Sequence, residues 1–297
     1  MISKLIKCKD PQIKPKWFLR QSGRHIPEYF SIRNKHDDFI DFCLSENSIV
    51  KATVLPLKYY NIDAAILFSD ILLLPYFLGQ KVTFKKNIGP VLKEVNIDEK
   101  FLKKNIDLNK FVSIKNAILK IKEILLPSKD LIGFCGAPWT LACYMIENGS
   151  SKEFVKTRTF VWNHERLFKN LINKLINHCV DFLEFQYVAG ATVLMIFDTW
   201  ASMIPDKYWV QFGINPTRLI VEKLRKKIRL EKSEEKLVPE VFEITIKKYK
   251  YLKLEKESSK LDNIIQGTKI IEKSKGLRGF NPKNYFSLFT SFFLFVA

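Results

Sequence analysis

The chain has 297 residues, 47% hydrophobic and 13% aromatic, which is ample for a packed core and excludes disorder as the dominant state. Its 49 Lys and Arg against 31 Asp and Glu leave a formal charge of +18, but the richness in Lys, Ile, Asn and Phe is what an AT-rich coding sequence produces, so charge alone supports an anionic ligand only weakly. Five cysteines, Cys8, Cys43, Cys135, Cys143 and Cys179, are odd in number and lack a C-x-x-C pair; they indicate neither a disulfide framework nor a zinc finger and point to a reducing cytoplasm.

Along the chain, Trp17-Phe18-Leu19 is expected to be a strand, with the polar, Gly-containing Arg20-Gln21-Ser22-Gly23-Arg24 as the loop after it. Ser45 to Tyr60 has helical spacing, with Ser45 or Asn47 as N-cap. Ala64 to Phe68 is a buried-strand pattern halted by Ser69-Asp70, and helical spacing returns between Leu108 and Leu126. Leu131 to Cys135 is a third apolar run, stopped by Gly136-Ala137-Pro138, where Pro138 suits the first turn of a helix because its missing N–H costs nothing there. A long amphipathic stretch from Glu165 to Val188 leads to a fourth run, Ala191 to Phe197, ending at Asp198-Thr199-Trp200.

Four strand-then-helix units imply α/β architecture with a parallel sheet, and ligands bind such sheets at the carboxyl ends of the strands, so the four loops are expected to share one mouth. From Arg229 the rhythm stops: Arg229 to Lys260 is dominated by Lys and Glu, with apolar fragments that settle into no strand, and a Phe-rich tail follows. Two segments are therefore expected, 1–228 and 229–297. The second is too short for the units that an eight-unit barrel still needs, so unpaired sheet edges are expected. No signal-peptide core is legible, no segment offers the ~18 uninterrupted apolar residues of a membrane helix, and the tail from Tyr285 to Ala297 is too short to span a bilayer.

The four loops carry recognisable motifs. Trp17 to Arg24 with Pro27-Glu28-Tyr29, Leu67-Phe68-Ser69-Asp70-Ile71-Leu72, Gly136-Ala137-Pro138-Trp139-Thr140 with Tyr144-Met145, and Phe197-Asp198-Thr199-Trp200-Ala201 resemble, in order, four signatures of the uroporphyrinogen decarboxylase family. The resemblance covers roughly residues 1–228. It implies a (β/α)8 TIM barrel, here incomplete, paired as a homodimer, acting without metal or cofactor on the acetate arms of uroporphyrinogen III to give coproporphyrinogen III in haem biosynthesis. Asp70 is then expected to accept hydrogen bonds from pyrrole N–H groups and to offset the cation that develops, which suits an acceptor-only carboxylate. Arg20 and Arg24 would bind substrate carboxylates through paired charge-assisted bonds, with backbone help from Gln21, Ser22 and Gly23.

Tyr144 and Thr199 would add hydroxyls to the same substrate, Thr199 standing where the family often has Ser, while Trp139 and Trp200 are expected to pack. The family's late histidine in a Gly-rich loop has no counterpart, since His25, His36, His164 and His178 are the histidines of the chain. Two readings stay open: a working decarboxylase with a diverged C-terminal part, and a non-catalytic remnant whose second half was replaced by a frameshift near Ile228. Thiol methyl transfer would need a zinc site of His and Cys ligands, and His178 and Cys179, adjacent on a helix, point apart. Nucleic-acid binding lacks any recognisable module.

Overall fold

The computed structural model of the chain describes residues 2–4, 14–231, 241–244 and 292–296. Helices α1 (Pro27–Arg33), α2 (Phe39–Leu44) and α3 (Glu46–Val54) come first, and α3 tightens into a 3-10 turn, Leu55–Lys58, at Pro56. Strand β1 (Ala64–Ile66), helix α4 (Leu73–Phe77) and a hairpin of β2 (Val82–Lys85) and β3 (Gly89–Leu92) follow. After α5 (Glu99–Leu102) and α6 (Val112–Ile124) come β4 (Asp130–Gly136), α7 (Pro138–Glu147), α8 (Val155–Asn163), α9 (Glu165–Ala189) and β5 (Val193–Asp198). Helix α10 (Asn215–Glu231) and strands β6 (Val241–Ile244) and β7 (Phe292–Val296) complete the described elements.

The centre of the sheet is parallel. Strand β1 pairs with β4 from Ala64↔Asp130 to Ile66↔Ile132, and β4 pairs with β5 from Ile132↔Val193 to Gly136↔Phe197. Every residue of β4 and β5 is buried, because helices cover one face and side chains of the N-terminal segment cover the other; this is why these strands read as unbroken apolar runs. Leu131, Cys135, Leu194 and Ile196 pack toward the helices in one cluster. Ile132, Phe134, Val193, Met195 and Phe197 form a second cluster on the opposite face, where Trp17 and Leu19 lie against them.

That packing corrects the first expected strand. Trp17-Phe18-Leu19 is not a strand; its apolar character comes from Trp17 and Leu19 covering the sheet. The segment is tied to β1 by the Lys16 and Asp63 backbones and by the buried amide of Gln21, whose Nε2 donates to Ala64 O at 2.8 Å and whose Oε1 accepts from Ile66 N at 3.0 Å. Those are the two β1 groups that a neighbouring parallel strand residue would engage, so one side chain replaces a ladder rung. Three parallel strands stand where four were expected, and the incomplete β/α-barrel class is kept.

The far edge of β5 is also paired, contrary to the expected open edge: β7 lies antiparallel to it from Leu194↔Val296 to Asp198↔Phe292, and β6 pairs antiparallel with β7. Val241–Ile244 is thus a strand inside the Lys- and Glu-rich stretch that was expected to form none. The rest of the 229–297 segment, apart from the last turn of α10, lies outside the described residues. Among the described residues no helix is long and apolar enough to cross a membrane.

Candidate functional site at the carboxyl ends of the parallel strands

The loops after β1, β4 and β5 meet. A Cβ on Gly136, the last residue of β4, would come within 3.1 Å of Ile71 Cβ and 2.7 Å of Leu141 Cδ2, so glycine is what lets the loop after β1 close onto β4. Ala137 N donates to Phe197 O at 2.8 Å, joining the ends of β4 and β5. The Arg20–Arg24 loop runs alongside β1 in the same direction, with Lys16 level with Asp63 and Gln21 level with Ala65, and so leaves the sheet at the same end. Its continuation α1 sets Tyr29 against Phe68, ring centroids 5.9 Å apart, at the carboxyl end of β1.

Asp70 follows β1 in an Asx turn, its Oδ1 accepting from Leu72 N at 2.8 Å. Its residue surface is half-buried but the carboxyl is enclosed, and the loss of hydration pushes its pKa up to about 6 against the pull of the Leu72 N–H. One donor occupies one of roughly four acceptor positions, so the carboxylate keeps capacity for incoming N–H groups. The Asp70 charge is felt at Tyr144, two turns into α7, whose phenol is raised to about 12 chiefly by burial and further by that charge. Ser69 Oγ, beside Asp70, and Ser22 Oγ, in the Arg20–Arg24 loop, are buried without hydrogen-bond partners among the described residues.

After β5 the buried carboxyl of Asp198 accepts from Thr140 Oγ1 at 2.6 Å, and burial raises it to about 6. Thr199 opens the turn beyond it, half-buried, and Trp200 lies across from Tyr144 with ring centroids 5.8 Å apart. Trp139 is fully buried against Phe168 and Phe212, as expected, and also donates its indole N–H to Trp200 O at 3.0 Å.

Of the residues singled out in the sequence, Asp70 and Tyr144 share one electrostatic environment, with Thr199 one residue from Trp200 at its side. Gln21 is buried, and its side-chain amide is bound to β1 through one N–H and one acceptor position. Arg20 and Arg24 are exposed at the rim, with the charge of Arg24 reaching Tyr29. Asp198 was not singled out, because an Asp that ends an apolar run reads as punctuation; the signal was its place directly after Phe197 inside the fourth motif. Two cavities, about 420 Å³ beside Tyr76 and Lys110 and about 320 Å³ beside Trp162, lie away from these residues. Among the described residues no group of three His, Cys, Asp or Glu could share a metal ion, and His178 and Cys179 serve other contacts: His178 faces Asp181, and Cys179 Sγ donates to Gly136 O at 3.3 Å.

Parallel strands with helical crossovers, loops converging at the strands' carboxyl ends, and a desolvated carboxyl there define a β/α-barrel protein with a candidate site at the barrel mouth. The chain belongs to the uroporphyrinogen decarboxylase family, whose model, described as "Uroporphyrinogen decarboxylase (URO-D)", matches residues 1–236. Uroporphyrinogen decarboxylase of Rickettsia felis is 41% identical over 213 residues, covering 71% of this chain and 61% of that protein, and the Rickettsia akari protein is 39% identical over 213 residues, covering 71% and 63%. The chain thus spans somewhat over three-fifths of the length of the curated relatives it matches. Among solved structures, a methyltransferase from Methanosarcina mazei superposes with a TM-score of 0.56 at 14% identity, over 75% of this chain and 66% of that one, a likeness of fold alone.

Proposed function

We propose that residues 1–228 carry the N-terminal wall of a site that decarboxylates the four acetate arms of uroporphyrinogen III to methyls, giving coproporphyrinogen III. The observation that carries this reading is Asp70, a carboxylate enclosed at the carboxyl end of β1, bound by one backbone N–H and otherwise open to donors, beside the protonated Tyr144 phenol.

The chemistry asks little else of the protein. A proton added to the electron-rich pyrrole makes an iminium-like sink; the bond from methylene to carboxylate then breaks, its electron pair flows into the ring, and carbon dioxide leaves. Reprotonation of the methylene carbon and loss of the ring proton give the methyl group, and no cofactor enters this sequence. Ionised Asp70 accepts the pyrrole N–H groups and offsets the cation as it forms, in a desolvated site where that charge counts for more than in water. Arg20 and Arg24 at the rim receive the arms that do not react, and Tyr144 and Thr199 donate hydroxyls to a carboxylate. A reducing cytoplasm suits the free, buried Cys43, Cys135, Cys143 and Cys179, and pairing as a homodimer belongs to the same reading.

A second reading has its own support. Beside β5, where a (β/α)8 barrel carries another parallel strand, β7 is antiparallel, as fits a remnant whose 229–297 segment does not rebuild the barrel. Anaerobic incubation of the purified full chain with uroporphyrinogen III, with products oxidised and separated by chromatography, decides between the two. Coproporphyrin at catalytic enzyme concentration supports the decarboxylase; a folded chain that leaves the substrate unchanged at stoichiometric concentration overturns it in favour of the remnant.

A further inference from the structure

Trp200 is held from two sides by α7. Its backbone N–H donates to Thr140 Oγ1 at 3.0 Å, and its backbone carbonyl accepts from Trp139 Nε1 at 3.0 Å. Thr140, with its oxygen so engaged, gives its own proton to Asp198 Oδ1 at 2.6 Å. The indole ring is wedged between Phe154, 4.9 Å between centroids, and Tyr144 at 5.8 Å. None of these backbone bonds uses the indole N–H: Nε1 is buried and has no partner at full hydrogen-bond geometry among the described residues. An unpaired buried donor is costly and rare enough to ask for a reason.

The polar group on its side is the Tyr144 phenol, which the indole N–H pulls toward ionisation without reaching bonding geometry. Counting donors settles the direction of any bond between them. An indole N–H can only donate, whereas a phenol has one proton and two acceptor positions, so a bond between the two must run from Trp200 to the Tyr144 oxygen. The phenol proton is then barred from that side. It is left for an acceptor at the mouth, where the substrate's carboxylates would lie.

We propose that Trp200 is a positioning residue whose indole N–H fills an acceptor position of the Tyr144 oxygen and so aims the phenol proton at a substrate carboxylate. The inference rests on the tetrapyrrole reading of the site. The two groups stop short of hydrogen-bond geometry in this chain, and such contacts tighten when ligand arrives.

The test is the affinity of the full chain for uroporphyrin, the stable oxidised counterpart of the proposed substrate, read from porphyrin absorbance. Trp200→Phe keeps a ring against Phe154 and Tyr144 and removes the N–H. It is expected to weaken binding about tenfold, as Tyr144→Phe does, while the W200F/Y144F double variant is no weaker than Y144F alone, because both substitutions remove one coupled contact. Trp200→His, which restores a ring N–H, is expected to recover part of the loss. Wild-type affinity in W200F, or losses that multiply in the double variant, would overturn the proposal. Should W200F lose its thermal unfolding transition, Trp200→Met provides the same comparison. A wild-type chain that does not bind uroporphyrin at all sinks the tetrapyrrole reading itself, an outcome distinct from binding that ignores Trp200.

Discussion

The Thr140 hydroxyl donates to the buried carboxyl of Asp198 across 58 residues of sequence, at 2.6 Å, and so locks α7 onto the end of β5. Burial of the carboxyl and its bond to Thr140 work against each other, and burial wins: the pKa sits near 6 rather than 3.8. A group raised in the folded state contributes stability in full below its unfolded pKa and loses it as pH rises toward the folded value.

Stability of the chain should therefore fall between about pH 4 and pH 6, and a shift of about two units corresponds to roughly 3 kcal/mol for Asp198. Asp198→Asn keeps an acceptor for Thr140 and cannot ionise. Urea unfolding should show it more stable than wild type by about 2–3 kcal/mol near pH 7.5, and nearly equal near pH 4. Equal stabilities at both pH values would mean that the carboxyl is hydrated in solution.

Asp70 carries the same raised pKa with the opposite expectation for function. Its ionised form is the one that offsets a cation, so kcat/KM for uroporphyrinogen should drop as pH falls through about 6. Asp70→Asn should cut turnover by about 10³-fold or more while raising stability at neutral pH, by less than at Asp198 because the Asp70 residue is half-buried. An acid limb that survives in the Asn variant would assign the titration to another group.

Strands β1, β4 and β5 were legible because each is an apolar run that stops at a polar or Gly-containing loop, and the segments after them carried Asp70, Tyr144 and Thr199. Trp17 to Leu19 misled for a physical reason: covering a sheet and belonging to it demand the same apolar side chains, and a ladder rung supplied by the Gln21 amide leaves no periodicity. The β2–β3 hairpin has a local sign in Asn87, in the turn, and Gly89, the first residue of β3, both at positive φ. Strands β6 and β7 had none, since what makes Phe292–Val296 a strand is β5, nearly a hundred residues earlier. The Thr140–Asp198 bond was equally hidden, because neither partner alone announces the other.

The two rim arginines should act on binding rather than on chemistry. Arg20→Ala and Arg24→Ala are each expected to raise KM about tenfold with kcat within about twofold, and Arg24→Lys should recover little, because a guanidinium grips a carboxylate with two parallel bonds and an ammonium does not. Steady-state kinetics at two salt concentrations would check this. A kcat loss as large as the KM change would place the arginines in the reacting part of the site.

Gln21 gives the sharpest separation of fold from function, because it lies inside the arginine motif yet spends its amide on β1. Gln21→Leu fills the same space without polar atoms and strands both Ala64 O and Ile66 N, two backbone groups beside a buried strand. An unpaired buried polar group costs about 1–3 kcal/mol, so the variant should lose roughly 2–5 kcal/mol in urea unfolding, with the midpoint shifted and the slope unchanged. Gln21→Glu keeps the acceptor for Ile66 N but loses the donor to Ala64 O, and adds a charge at a position only 2% exposed; it should be at least as damaging near neutral pH and should partly recover in acid as the carboxyl takes up a proton and can donate to Ala64 O. If Gln21→Leu instead unfolds like wild type and loses only uroporphyrin affinity, the amide faces ligand in solution, and the segment must then pair with β1 through its own backbone.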